Sequence, residues 1–257
     1  MRLTEIFRQA MQSLIVRNAH RIVSGEDPEF RNDSDFFFLR RGGVDSALQT
    51  VLQLCCERLP AAYGYDPLTD IQVLCPSRKY ALGTANLSNL LQSRLNPPSP
   101  GKKELKRIGF VLREGDKVIQ TKNNYDILWS KGGEEGAGVY NGDIGILESI
   151  DRASSSLRVR FEDKTASYSG EQVGDLELAY AMTIHKSQGS EFECVVLPLL
   201  DVAPQLSYRN LLYTAVTRAK KQLVIVGSEN AVRRMVRNNR RTLRYTGLRR
   251  LLGEAMA

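Results

Sequence analysis

Histidine and cysteine are scarce in this sequence, and the few present lack the spacing of a site. The two histidines, His20 and His185, lie far apart and show no ligand pattern, which argues against a histidine metal centre. The four cysteines are Cys55, Cys56, Cys75 and Cys194. None forms a Cys-x-x-Cys, two are adjacent and the others fall in apolar runs, so buried thiols in a reducing cytoplasm are expected rather than disulfides or zinc. No apolar run approaches the ~18 residues of a membrane span. The start, Met1-Arg2-Leu3-Thr4-Glu5-Ile6, lacks the layout of a signal peptide. A cytoplasmic protein with no membrane partner is the expectation. Also missing is any Gly-x-x-x-x-Gly-Lys-Ser/Thr, the loop that cradles nucleotide phosphates. Residues 132–138 are glycine-rich, but they lack the Lys-Ser/Thr ending, and Glu134 and Glu135 would repel phosphate. That run reads as a flexible hairpin tip. No Ser/His/Asp or Cys/His set can be argued from spacing.

Charge, by contrast, is plentiful and unbalanced: 36 Lys and Arg against 29 Asp and Glu, a net +7. That favours an anionic partner without choosing among nucleic acid, nucleotide and membrane surface, and a merely basic soluble protein stays open beside it. With 257 residues, 42% of them hydrophobic, the chain can bury a full core. Apolar spacing (Ile6, Ala10, Leu14, Ile15, Ala19, Ile22) predicts a helix over 4–24. A strand at 36–39, a helix at 45–57, a strand at 70–75 and a helix at 82–95 follow. This alternation is α/β logic with a parallel sheet. Between 110 and 173 the texture changes to short strands (117–120, 143–150, 157–161, 165–168) with turns at Asn141-Gly142 and 151–156, which suggests a small β-barrel. The α/β texture then returns: a helix or turn near 177–188, a strand at 195–199, a helix at 207–219, a strand at 222–226 and a closing helix at 229–238. The simplest division is one α/β domain, residues 1–109 and 174–257, interrupted by a barrel insertion, residues 110–173.

Two segments concentrate chemistry. Residues 213–219 read Tyr-Thr-Ala-Val-Thr-Arg-Ala, and residues 182–192 read Met-Thr-Ile-His-Lys-Ser-Gln-Gly-Ser-Glu-Phe. Nucleoside triphosphate chemistry needs cations at the γ-phosphate, and arginine is always charged, planar and bidentate. Arg218, just ahead of a strand, and Arg8, in the first helix, have the residue type, although a lone arginine is most often a surface charge. Glu191, after a glycine and before an apolar strand, could accept ribose hydroxyls or be a solvated turn residue. Thr183, His185, Lys186 and Ser187 could donate to nucleic-acid phosphates.

Read together, these segments resemble the C-terminal half of the motor of RecD/TraA-type helicases (exodeoxyribonuclease V alpha chain-like), the superfamily 1 branch that moves 5′ to 3′. Leu3-Thr4-Glu5-Ile6-Phe7-Arg8-Gln9 looks like motif IV. Val73-Leu74-Cys75-Pro76-Ser77 with Gly83 looks like the next strand–turn–helix. Residues 115–120, Asn123-Asn124-Tyr125-Asp126 and Asn141-Gly142-Asp143-Ile144-Gly145 resemble the family's inserted barrel. Residues 179–192 look like motif V and residues 209–219 like motif VI. The resemblance implies an α/β, RecA-like (P-loop NTPase-type) second motor domain with a mainly parallel sheet, interrupted by a small SH3-like β-barrel. It implies that Arg8 and Arg218 reach the ATP γ-phosphate, that Glu191 touches the ribose beside Gly189, and that Gln188 couples the nucleotide and DNA sites. Ser77, Thr183, His185 and Lys186, with Asn123, Asn124 and Tyr125 on the barrel, would contact single-stranded DNA; Tyr125 could stack on a base or lie buried. ATP and Mg²⁺ would both require an N-terminal RecA-like domain of the same parent protein, because no Walker A or B stretch occurs here. The expectation is a piece of a longer ATP-dependent helicase, inactive as an ATP hydrolase by itself, whose partners are single-stranded DNA, that first domain and other repair proteins docking on the barrel. Three departures stand out: an enlarged barrel tip at 130–138, Ser88 where asparagine is common, and Glu193 where proline is frequent. A non-catalytic single-strand-binding module and a protein-interaction adaptor are the competing readings.

Overall fold

The computed structural model describes residues 12–154, 156–200 and 202–239. The first stretch comprises α1 (Leu14–Ser24), β1 (Phe36–Arg40), α2 (Val44–Gln53), a π-helical turn at Leu54–Arg58, α3 (Leu59–Tyr63), β2 (Ile71–Cys75) and α4 (Thr84–Leu95). A hairpin of β3 (Glu104–Arg107) and β4 (Phe110–Arg113) forms a small sheet of its own. Seven strands then build one antiparallel sheet: β5 (Lys117–Gln120), β6 (Asn124–Lys131), β7 (Glu134–Val139), β8 (Ile144–Asp151), β9 (Ser156–Phe161), β10 (Lys164–Tyr168) and β11 (Leu176–Leu178). The chain closes with β12 (Ala181–Thr183), β13 (Phe192–Leu199), α5 (Arg209–Val216), β14 (Ala219–Gly227) and α6 (Glu229–Arg237). Among the described residues no helix is long and apolar enough to cross a membrane.

The main sheet has the order β1-β14-β13-β2-β12, and every pairing in it is parallel. Its strands are almost continuously apolar because both faces are covered. Val73, Cys75 and Val196 pack with Val51 of α2 and Leu87 of α4, in a core that runs on into the barrel through Val118, Leu147 and Tyr168. Leu74, Val195 and Leu197 face the other way, against Leu14 of α1, Leu212 of α5 and Met235 of α6. Alternation along one strand thus feeds two cores. Local caps set the ends. Asp35 Oδ1 accepts from the Leu14 amide at 2.9 Å and the Ile15 amide at 3.2 Å, where the first turn of α1 has unpaired donors. Gly25, at φ 88°, ends that helix.

The α/β order and the mainly parallel sheet expected from the sequence are present. Three local expectations change. The helix expected to stop at 57 continues to Tyr63 through the π turn; the Leu59 amide closes that turn on the Leu54 carbonyl, and Pro60 follows with no amide to offer an α-helical ladder. Residues 132–138 do belong to a hairpin, but its tip is shorter than expected and residues 134–138 are strand. Lys131 pairs with Glu134, leaving only Gly132 and Gly133 as a two-residue turn with φ 56° and 93°, the conformation such hairpins favour. Gly136 in β7 lies against Trp129 of β6, where a Cβ would come within 2.3 Å of the indole. The span 177–188 holds two short strands, β11 and β12, before its turn. Their backbone partners are β5 and β2, both remote in sequence, so no local periodicity marks them.

Where the barrel leaves the α/β part, the charged side chains of Arg113, Asp116 and Lys117 are buried. Asp116 accepts four hydrogen bonds, from the Arg113 amide, Gln92, Asn96 and the Tyr180 hydroxyl. Lys117 on β5 is buried and donates to the Ile71 carbonyl of β2 at 3.1 Å. Burial lowers its ammonium from the ordinary 10.5 to about 8. Between those values the unfolded chain holds the proton more tightly than the folded one, so stability rises with pH through that window. Lys117→Met, which removes the buried charge at similar volume, is expected to stabilise the fold at pH 7 by about 1–3 kcal/mol. That advantage should shrink as pH rises above about 8. Urea midpoints for both proteins from pH 7 to about 10 test this; a pH-independent gap would contradict it.

Candidate functional site

The two edges of the parallel sheet carry different chemistry. At the C-terminal edge β2 ends in Cys75 and leads into Pro76-Ser77-Arg78-Lys79-Tyr80. The Ser77 hydroxyl donates to the Lys79 carbonyl at 3.1 Å, and its own carbonyl accepts the Thr84 amide. The loop closes so tightly on Gly83 that a Cβ there would lie 2.1 Å from the Lys79 carbonyl oxygen. Tyr80 is 79% exposed at φ 73°, an unusual conformation for a bulky residue. Thr183 ends β12 level with Cys75. Its Oγ1 accepts the Lys186 amide at 3.3 Å, and its carbonyl accepts from Ser187. His185 is exposed, with Nε2 2.9 Å from the Tyr208 hydroxyl. Lys186 Nζ and Arg78 Nη1 both donate to Glu177 of β11, at 3.0 and 2.9 Å. Burial pushes the Glu177 carboxyl up, but these two cations outweigh it and hold the group below the usual carboxylate value.

The N-terminal edge carries the other group. Cys194 pairs with Ile71 at the start of β2, so Phe192 lies six strand positions below Thr183, about 20 Å at ~3.3 Å per residue. The run 184–191 therefore crosses from one edge to the other. Arg218, half-buried after α5, donates from Nη1 to the Ser190 carbonyl at 2.9 Å, from Nε to the Thr214 carbonyl at 3.2 Å and from Nη2 to Thr217 Oγ1 at 3.2 Å. Three of its five N–H donors are thus engaged and two remain. The Phe192 amide donates to the Arg218 carbonyl at 2.9 Å, so arginine and turn are held from both sides. Glu191 is exposed and its carboxylate has no partner among the described residues. Gly189 turns the chain at φ 91°, and Gln188 is exposed beside it. Glu191 borders a cleft of about 710 Å³ shared with Arg160 and Lys164 of the barrel. Arg8 lies outside the described residues.

On the barrel, Asn123 and Asn124 are engaged internally: Asn123 Oδ1 accepts the Asn141 amide, and Asn124 Nδ2 donates to Asp175. Tyr125 is exposed, not buried, and meets Tyr140 edge-on at 6.0 Å. Sequence reasoning missed Arg78, Lys79, Tyr80 and Glu177. The basic pair after Pro76-Ser77 was a visible signal; Glu177 was not, because its partners come from distant segments.

Comparison with known proteins agrees with this architecture. Residues 87–161 match the family described as the ATP-dependent RecD-like DNA helicase SH3 domain, and residues 178–226 match the UvrD-like helicase C-terminal domain. The ATP-dependent RecD2 DNA helicase of Deinococcus radiodurans is 30% identical over 230 residues, which is 90% of this chain and 29% of that protein. RecBCD enzyme subunit RecD of Mycobacterium tuberculosis is 38% identical over 143 residues, 52% of this chain and 21% of that protein. The chain thus spans under a third of the length of these relatives. The crystal structure of a Bacteroides Pif1 helicase in complex with ADP-AlF3 and ssDNA superposes with a TM-score of 0.50 at 15% identity, over 98% of this chain and 56% of that one, a likeness of fold. The parallel sheet is the RecA-like fold and the antiparallel one an SH3-like domain, and the chain carries a helicase C-terminal domain of RecD type.

Proposed function

We propose that this chain is the second half of an ATP-dependent, 5′-to-3′ DNA helicase motor, in which one sheet edge senses nucleotide and the other grips single-stranded DNA. The observation that carries this reading is the run 184–191, which begins among the cations of the C-terminal edge and ends under the Arg218 guanidinium. In this reading residues 1–109 and 174–257 act as the motor domain, and the barrel of residues 110–173 extends the strand path through Tyr125.

The residues fit half of an ATP site. Two unengaged Arg218 N–H groups suit a phosphate oxygen, and the free Glu191 carboxylate suits ribose hydroxyls. Bound ATP supplies the phosphoryl-transfer free energy. Among the described residues no cluster of three or more metal-ligating side chains occurs, so Mg²⁺ and the phosphate loop would come from a first RecA-like domain. Arg218 holds the Ser190 carbonyl, so a shift of its guanidinium toward a phosphate pulls on the turn at Gln188–Glu191 and, through that run, on Thr183 and His185. Arg8 would be the second cation by the same logic.

Strand binding tests the DNA edge. Arg78, Lys79 and Lys186 offer three phosphate contacts, so the logarithm of affinity should fall with the logarithm of salt at a slope of about −2, from roughly −0.7 per contact. A poly-dT oligonucleotide titrated from low to moderate salt measures it; an affinity indifferent to salt would refute the assignment.

A further inference from the structure

The β3–β4 hairpin folds over α4, where Asn89 Nδ2 donates to the Gly109 carbonyl at 3.4 Å. Between the hairpin, α4 and the ends of β11 and β12 lies a slot of about 300 Å³, at the small end of ligand pockets, roughly 300–1,000 Å³. Its walls are apolar: Phe110 and Ile108 from the hairpin, Leu178 and Met182 from the strands, Ala85 from α4. Ile108, at the hairpin tip, is fully exposed and forms a lip with no core to join. Asn89 lines one side and keeps its Oδ1 unpaired among the described residues. The mouth is polar and basic, formed by Thr183, Arg78 and Lys186. The two cations share a single carboxylate, Glu177, so the trio carries one net positive charge.

We propose that this slot takes one unstacked base of a bound single strand, and that the adjoining phosphate replaces Glu177 as the partner of Arg78 and Lys186. The inference rests on the reading of the C-terminal edge as the strand track, and deepens it. The apolar walls suit a base face, whose burial is tolerant of sequence, and Asn89 can meet the base edge. The Glu177 carboxylate stands where an anionic oxygen would stand, bridging an arginine and a lysine, and the residual positive charge favours the more highly charged phosphate diester chain over the lone carboxylate. Glu177 belongs to β11 of the barrel sheet. Its displacement therefore frees a tie between that sheet and the grip on the strand.

The test uses the complete chain, fluorescence anisotropy at low salt, and two labelled oligomers of equal length, one of thymidines and one fully abasic. Ala85 is exposed on α4, so Ala85→Leu suits the helix while filling the slot. It is expected to weaken binding of the thymidine oligomer about fivefold or more and to leave the abasic one unchanged. Glu177→Gln is expected to tighten both several-fold, because the phosphate no longer competes with a carboxylate. Equal losses on both oligomers for Ala85→Leu, or no loss, would overturn the slot; unchanged or weaker binding for Glu177→Gln would overturn the exchange. Failure of the unaltered chain to bind either oligomer would instead remove the strand track itself, and the slot with it.

Discussion

Replacing Arg218 by alanine, in a protein that joins this chain to a first RecA-like domain, is expected to lower ATP hydrolysis about a thousandfold or more and to leave single-stranded DNA binding largely intact. The two effects separate because the residues lie at opposite sheet edges. Arg218 touches Ser190, Thr214 and Thr217, whereas Arg78 and Lys186 sit beside Glu177. Loss of the guanidinium removes a charge that would be needed only as the phosphoryl group leaves, so the rate constant should fall more than the affinity for ATP. Arg218→Lys keeps the charge but cannot hold the Ser190 and Thr214 carbonyls while presenting further donors, so it should recover little of the rate. Steady-state hydrolysis with saturating DNA is the measurement. A thermal melt controls for the lost backbone hydrogen bonds, at about 1 kcal/mol each. Hydrolysis within about tenfold of the unaltered protein would remove Arg218 from the nucleotide site.

The second large effect concerns stability. Asp116→Ala should cost about 3–5 kcal/mol, because one buried carboxylate satisfies four donors from three parts of the chain. Asn96 and Gln92 come from the end of α4, the Arg113 amide from β4 and the Tyr180 hydroxyl from the approach to β12, at 2.6 to 2.9 Å. Burial pushes the carboxyl up and the hydrogen bonds pull it back, with burial prevailing. Truncation leaves the Arg113 amide and the Tyr180 hydroxyl without their acceptor and leaves Gln92 and Asn96 with only the Val111 and Glu114 carbonyls, and Asp116→Asn would set an amide N–H against other donors. Urea unfolding reads the loss, and faster proteolysis in residues 97–103 would report the loosened seam. A loss below about 1 kcal/mol would mean that water or rearranged partners replace the carboxylate.

Much of the fold was legible in the sequence because its signals are local. Strand runs such as 194–197 and 223–226 are continuously apolar, as a sheet covered on both faces requires, and the apolar spacing of α6 shows a helix with one buried stripe. Thr183, Glu191 and Arg218 stood out because dense polar groups next to a buried strand are costly unless they do something. What was missed depended on partners remote in sequence. The pairing of β7 with β6 hides behind a glycine-rich composition until Trp129 is seen lying on Gly136. Glu177 looked like one surface acid among many until Arg78, 99 positions away, reached it.

By itself the sequence determined the main helices and strands of the α/β part, the basic balance of the chain and the family resemblance, since these are carried by residue type and short-range spacing. Only the tertiary structure decided that Thr183 and Glu191, eight positions apart in one run, stand at opposite edges of the sheet. It alone decided that Arg218 grips the turn before β13, and that the buried Asp116 and Lys117 tie the barrel to the parallel sheet. The physical reason is that strand order and register set these distances. Both arise from long-range backbone pairing and shared burial, which no window of neighbouring residues contains.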